Sequence, residues 1–274
     1  MILARLQTET GEIRCVYRGE DGAWYRLSGT SLLEPGEPTG VRQYDGTLLA
    51  PVDPVCILGI GMNDRDHAAE IGRPVPEEPV LFMKAPSALQ HPEQPIQLPQ
   101  PDQTESVDCE AELAVVIGRR ARDLSREEAL DYVAGFTCAN DVSARNWQGP
   151  RGGGQFCRAK TFDTFCPLGP VLVTPESLRD SGDLPVISRI NGETLQSGST
   201  RNQIFDVPEL LHRLSQDTTL EPGTVLLTGT PPGVGWARSP ERFLRPGDVV
   251  EVEIPRIGIL SNPVVGPDGS TGAG

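Results

Sequence analysis

Apolar positions along the chain fall in short runs with a period of two, not in long helical stripes. Residues 2–6, 12–18 and 23–27 alternate or run apolar, and Asp21-Gly22 supplies a hairpin turn between the last two. Residues 33–45 are rich in Pro and Gly. Together these predict a small N-terminal β subdomain over 1–52. CILGIG at 56–61 reads as a short buried strand, 64–71 as one or two helical turns ended by Gly72, and 80–83 as another strand. Residues 85–107, dominated by Pro, Gln and Ser, read as an irregular excursion. DCEAELAVVIG at 108–118 is the strongest strand signal in the chain. Ser125 and Glu128 form a capping box, which predicts a helix ended by Gly135. A strand at 136–139 then leads into Asn140-Asp141, and 149–154 reads as a flexible loop. Further strands are expected at 171–174, 186–191, 224–228 and 248–254, with one more helix at 207–214 capped by Asp206. Residues 266–274 read as a flexible tail. Many short strands with few helices predict an α+β, β-rich fold with a mixed or barrel-like sheet, its larger unit spanning 53–265.

Composition narrows the partners. A formal charge of −14 repels phosphate backbones and argues against nucleic acid. No stretch approaches the roughly 18 apolar residues of a membrane helix, and Met1-Ile2-Leu3-Ala4-Arg5 lacks a signal-peptide pattern. The expectation is a soluble, cytoplasmic protein with no membrane partner. The 6 cysteines are irregularly spaced with no Cys-x-x-Cys, so free, mostly buried thiols are expected. Of the 24 basic residues only Lys84 and Lys160 are lysines; the rest are arginines. An Arg-rich genome explains the bias. The two exceptions then stand where a compact ammonium is needed.

Several residue groups carry candidate chemistry. Glu110 and Glu112 share one face of a strand about 6–7 Å apart, where two carboxylates can converge on one cation. All-oxygen ligation suits Mg2+, Mn2+ or Ca2+. A solvated strand edge is the ordinary alternative. Asp141, at a strand end, fits a third oxygen ligand or the N-cap of a helical turn at 142–148. With such a turn, Asp141, Arg145 and Gln148 share a face able to clamp a carboxylate-bearing substrate. His67 and Glu70, three apart on a helix, form either a general-base dyad or a surface pair. Lys160 is either a site cation or an exposed strand lysine paired with Asp163. TGTPPGVG at 228–235 is Gly-rich but lacks the Gly-Lys-Ser/Thr of a phosphate loop. Thr230 lies within it. No strand–GxGxxG–helix unit is present, which argues against a nucleotide-binding enzyme.

The order of these blocks resembles the fumarylacetoacetate hydrolase family from about residue 57 to 264. GMNDRDHAAEIG, PVLFMKAPSAL, VDCEAELAVVIG, AGFTCANDVSARNWQ, AKTFDTFCPLGP, INGETLQ, LEPGTVLLTGTPPGVG and LRPGDVVEVEI carry the resemblance. FDTFCPLGP and TGTPPGVG look most like the domain-containing-protein-2 branch. The resemblance implies the family's mixed β-sandwich or β-roll and its metal site, matched here by Glu110, Glu112 and Asp141, holding Mg2+ or Mn2+ and possibly Ca2+. It implies a catalytic dyad at His67 and Glu70, a catalytic Lys160, and substrate contacts at Arg145, Gln148, Lys84 and Thr230. Asn63-Asp64 and Phe156-Cys157-Arg158 depart from the family's Asn-Tyr and tryptophan at those places, so lid contacts differ there. The implied activity is on a small anionic 2-oxo acid through a metal-stabilised enolate: oxaloacetate-type tautomerisation or decarboxylation, with acylpyruvate or fumarylpyruvate carbon–carbon hydrolysis as the alternative. A homodimer is implied as well. A non-catalytic metal-binding homologue is the rival of another class; no loss among these residues supports it.

Overall fold

The computed structural model describes residues 1–178 and 183–271. Its frame is a 12-stranded mixed sheet and a 5-stranded sheet. Ala111–Ile117 lies in the middle of the large sheet, antiparallel to both Val133–Asn140 and Thr224–Leu227. All of its residues are buried. Leu113, Val115 and Ile117 join one core cluster, and Ala114 and Val116 join the other. A strand covered on both faces needs a continuous apolar run, and that is why this signal dominated the sequence. Beyond Thr224–Leu227 come Cys56–Gly61, paired in parallel, and Val80–Lys84 at the edge.

The 1–52 segment is not a separate sheet. Ile2–Gln7 pairs with Cys166–Val173, placing Leu3 opposite Leu172, so the N-terminal strands extend the main sheet. The Asp21-Gly22 hairpin forms as expected between Ile13–Arg18 and Trp24–Leu27. Pro38–Gln43, within the Pro- and Gly-rich stretch, adds a strand to it. The 5-stranded sheet runs Glu193–Ser199, Pro185–Ile190, Val249–Ile254, Gly258–Val265 and Ile96–Gln97. The sequence pattern predicts neither its first nor its fourth strand, and its fifth lies in the stretch read as an irregular excursion. The helices α1 (Arg65–Glu70), α2 (Arg145–Gln148), α3 (Phe156–Lys160) and α4 (Val207–Ser215) are short. Asp206 caps α4 through Glu209 N, as expected.

Other expectations are corrected. The capping box forms only in part: Glu128 N donates to Ser125 Oγ at 3.4 Å, but the Glu128 carboxylate takes the Ser125 hydroxyl proton, at 2.7 Å, and only a single 3-10 turn follows, Ala129–Tyr132, with Glu128 as its N-cap. Gly135 ends no helix. It lies inside Val133–Asn140, where a Cβ would come within 2.7 Å of Leu172 Cγ and Val173 O. Glycine is there for close strand packing. The helical turn expected at 142–148 begins only at Arg145, and its N-cap is Ala144, not Asp141. Lys160 ends a helix instead of lying on a strand. Of the expected tail, 266–271 forms a turn in which Gly266 N donates to Ser270 O at 2.7 Å; 272–274 lie outside the described residues. All 6 cysteines are free, and Cys15, Cys109, Cys138 and Cys166 are buried.

Candidate active site

Glu110 and Glu112 stand at the entry of the central strand, just after Val107–Asp108 pairs with Ser143–Ala144 in a separate two-stranded sheet. Asp141 follows the end of the neighbouring strand, and its backbone N donates to Glu110 O at 2.8 Å. That register brings the carboxylates of Glu110, Glu112 and Asp141 within 4.8 Å of one another, all buried. The surface alternatives for this trio therefore fall away.

Three cations and four carboxylates share this volume. Lys160 Nζ donates to Glu110 Oε2 at 2.7 Å, to Ser143 Oγ at 2.8 Å and to Asp141 Oδ2. Lys84 Nζ donates to Asp141 Oδ1, to Phe165 O at 2.7 Å and to Val142 O at 3.3 Å. Arg145 Nη1 lies 2.7 Å from Glu110 Oε1, and its Nε and Nη2 grip Asp108 Oδ2 at 3.0 and 2.8 Å. Burial opposes charge on Glu110, but the Lys160 and Arg145 charges outweigh it and hold this carboxyl well below its usual range. Among the described residues, no cation is bonded to Glu112. Burial, then the Asp141 and Glu110 charges, push its carboxyl well above the usual value. One carboxylate in excess, all-oxygen donors and convergence in a buried site are the properties that a hard divalent cation satisfies. The residues present therefore fit the metal that the sequence implies.

The dyad is no surface pair. Asp64 caps α1 by accepting from Asp66 N and His67 N. His67 Nδ1 lies 2.9 Å from Glu70 Oε2, with side-chain exposures of 8% and 22%. Glu70 Oε1 accepts from Gly233 N at 2.8 Å. The loop whose Gly233 N holds Glu70 also holds Glu112, through Gly229 N at 2.6 Å, and so sets α1 beside the carboxylate cluster.

The backbone amides of the 228–235 loop are taken up by protein carboxylates: Gly229 N donates to Glu112 Oε2 at 2.6 Å, Gly233 N to Glu70, and Gly235 N to Asp108 Oδ1 at 2.9 Å. Gly233, at φ +102, leaves no room for a side chain, because a Cβ would meet Leu195 O at 2.2 Å. Thr230 Oγ1 donates to Ala111 O at 3.0 Å and accepts from Gln196 Nε2 at 2.7 Å. Gln148 Oε1 accepts from Arg145 Nη1 at 2.9 Å.

Every residue singled out in the sequence thus comes to this region, with two changes of role. All three Lys84 protons and the single Thr230 hydroxyl proton have protein acceptors, so Lys84 braces Asp141, Thr230 braces Ala111, and neither has a donor left for a substrate. Sequence reasoning passed over Asp108, Gln196 and Ser143. Asp108 and Gln196 stood inside quoted motifs, but nothing in their spacing announced bonds to segments far along the chain.

This combination, a β-rich two-sheet frame carrying a buried E-x-E plus aspartate site beside a His–Glu dyad, defines an enzyme of a known class. Residues 56–265 match the family described as fumarylacetoacetate (FAA) hydrolase C-terminal, and the chain belongs to that family. It is 48% identical over 220 residues to the mitochondrial oxaloacetate tautomerase of Xenopus laevis, covering 80% of this chain and 68% of that protein. The corresponding protein of Homo sapiens is also 48% identical over 220 residues, covering 80% of this chain and 69% of its own. Among solved structures, the fumarylacetoacetate hydrolase of Exiguobacterium antarcticum superposes with a TM-score of 0.87 at 38% identity, covering 97% of this chain and 99% of that one. The 5-carboxymethyl-2-hydroxymuconate delta-isomerase of Mycobacterium smegmatis does so with a TM-score of 0.83 at 36% identity, covering 97% and 100%.

Proposed function

We propose that this enzyme interconverts the enol and keto forms of oxaloacetate, with Mg2+ or Mn2+ at Glu110, Glu112 and Asp141. The observation that carries the reading is the buried carboxylate trio facing a His–Glu dyad. Similarity to proteins named oxaloacetate tautomerases supports the substrate.

When bound, a divalent cation supplies the positive charge that polarises the 2-oxo carbonyl and acidifies the adjacent CH2. The chain's residues do the rest. With Nδ1 donating to Glu70, His67 presents Nε2 as the base that takes the proton from C3 and delivers it to the 2-oxo oxygen to give the enol, and carries it from that oxygen back to C3 in the reverse direction. Gly233 N fixes Glu70, and so the imidazole plane. Lys160 contributes a buried positive charge beside Glu110 and Asp141, which favours negative charge developing on the substrate oxygen. Beyond its bond to Asp108, Arg145 Nη2 has a second hydrogen with no acceptor among the described residues, placed to take a substrate carboxylate, and the guanidinium lies 5.8 Å over the Trp236 ring. Thr230 and Gln148 shape the walls and hold their neighbours. We further propose a homodimer in solution, testable by light scattering.

The test is enol-to-keto conversion of oxaloacetate followed by ultraviolet absorbance, with Mn2+, Mg2+ or excess EDTA. Fast, EDTA-sensitive loss of the enol without pyruvate release is the expected result. Pyruvate release at the same rate would make the enzyme a decarboxylase. Activity confined to an acylpyruvate run in parallel would make it a carbon–carbon hydrolase.

A further inference from the structure

Asp108 is fully buried, yet no step of the proposed reaction uses it. Its carboxylate receives five donors. Oδ1 accepts from Cys109 N and Gly235 N, each at 2.9 Å. Oδ2 accepts from Arg145 Nε at 3.0 Å, Arg145 Nη2 at 2.8 Å and Trp236 N at 3.1 Å. These donors come from three separate segments: its own strand entry, α2, and the far end of the 228–235 loop. The loop is the one whose Gly233 N holds Glu70.

We propose that Asp108 is a positioning residue that sets the Arg145 guanidinium and the glycine-rich loop against the same reference point. The argument is geometric. Two of Arg145's three nitrogens bind one carboxylate oxygen, so the plane of the guanidinium is fixed. Only that plane presents Nη1 to both Glu110 and Gln148. The second oxygen pins Gly235, two residues beyond the amide that orients the dyad. A single carboxylate thereby ties substrate orientation to dyad orientation. A neutral amide cannot do both. Asparagine keeps one oxygen for the backbone donors and turns an NH2 towards Arg145, where it meets another donor.

The proposal rests on the oxaloacetate reading for its kinetic test, and a second readout is independent of it. In the Mn2+-loaded enzyme, Asp108→Asn raises KM for oxaloacetate by about ten- to hundredfold, the range for losing a hydrogen bond to a charged group, while kcat falls less. Arg145→Gln shows the same pattern, and the double variant is no worse than the poorer single one. Apart from catalysis, Asp108→Asn shifts the tryptophan emission through Trp236, and the shift disappears in a Trp236→Phe background. Oxalate binding to the Mn2+ form, followed by calorimetry, weakens in parallel. If the native enzyme leaves oxaloacetate untouched, the functional reading fails while emission and oxalate binding still decide the role of Asp108. Unchanged KM with unchanged oxalate affinity, effects that add to those of Arg145→Gln, or an unshifted Trp236 emission would each overturn it. Should Asp108→Asn not fold, Arg145→Lys carries the test, because one ammonium cannot hold Asp108 and reach Glu110 and Gln148 together. A native KM in that variant refutes the proposal.

Discussion

Replacing Lys84 with methionine removes a buried ammonium and little volume. Both Lys84 and Asp141 have 0% side-chain exposure, so solvent cannot take over the lost charge. Asp141 keeps Lys160, but the site then has two cations against four carboxylates. Removing one member of a buried pair costs about 3–5 kcal/mol, because the other charge is left uncompensated. Phe165 O retains Val142 N as a donor at 3.1 Å, whereas Val142 O loses its only hydrogen-bond donor found among the described residues. Methionine fills nearly the same space, so a cavity adds little. At about 2–4 °C per kcal/mol for a chain of this size, Tm should fall by about 6–20 °C in EDTA. A divalent cation at Glu110, Glu112 and Asp141 restores the missing positive charge. Saturating Mn2+ should therefore raise Tm more in Lys84→Met than in the native protein. Differential scanning calorimetry in EDTA and in Mn2+ reads both quantities. A loss below about 1 kcal/mol, the size of an exposed pair, would refute the reasoning. An unchanged metal increment would show that Lys84 and the metal do not share a charge balance.

Three further outcomes follow from the same geometry. The Glu112 carboxyl is raised above its ordinary value of 4.5, so the folded metal-free protein binds more protons than the unfolded one. Its stability should decline as pH rises from 4.5 through the elevated folded value, by at most about 1.4 kcal/mol per pH unit. Glu112→Gln should remove both that decline and the metal-induced rise in Tm; a variant that still melts higher in Mn2+ would exclude Glu112 as a ligand. His67→Ala should retain the metal increment and lose about 10²–10⁴ in kcat on oxaloacetate, and unchanged turnover would take the dyad out of the reaction. In Gly59→Ala the new Cβ would lie 2.2 Å from Phe82 Cζ. The displaced Phe82 ring, now 4.7 Å from Lys160 Nζ, should cost about tenfold or more in kcat with metal binding intact; native kinetics would show that the ring has no part in holding Lys160.

Where local chemistry decided the structure, the sequence was readable. The Asp21-Gly22 hairpin and the Asp206 cap depend on neighbours within a few residues. The errors arose where a distant segment overruled a local signal. Half of the box at Ser125 and Glu128 forms, but Gly135 is required by Leu172 and Val173 on the next strand, so the chain is in a strand by Val133. Glu193–Ser199 carries too few apolar residues to read as a strand; it forms because Pro185–Ile190 pairs along its length. Gly258–Val265 is likewise held in register by Val249–Ile254.

The site divides along the same line. Glu110 and Glu112 could be paired from strand periodicity alone, and His67 with Glu70 from helical spacing. Nothing local joins the glutamates to Asp141, which lies across the Val133–Asn140 pairing, or to Lys84 and Lys160 on an edge strand and a short helix. The scarcity of lysine was the one compositional trace of that long-range arrangement. Both lysines end on the two oxygens of Asp141, Lys84 on Oδ1 and Lys160 on Oδ2. Each ammonium meets three acceptors that converge on a single nitrogen. A guanidinium spreads its donors in a planar fork and suits Asp108, where two of its nitrogens share one oxygen, but it cannot gather three acceptors at one point. The pattern of substitution across this Arg-rich chain is therefore a geometric statement: arginine wherever a fork or a solvated charge suffices, lysine where Asp141 has to be gripped from both sides in a space closed to water.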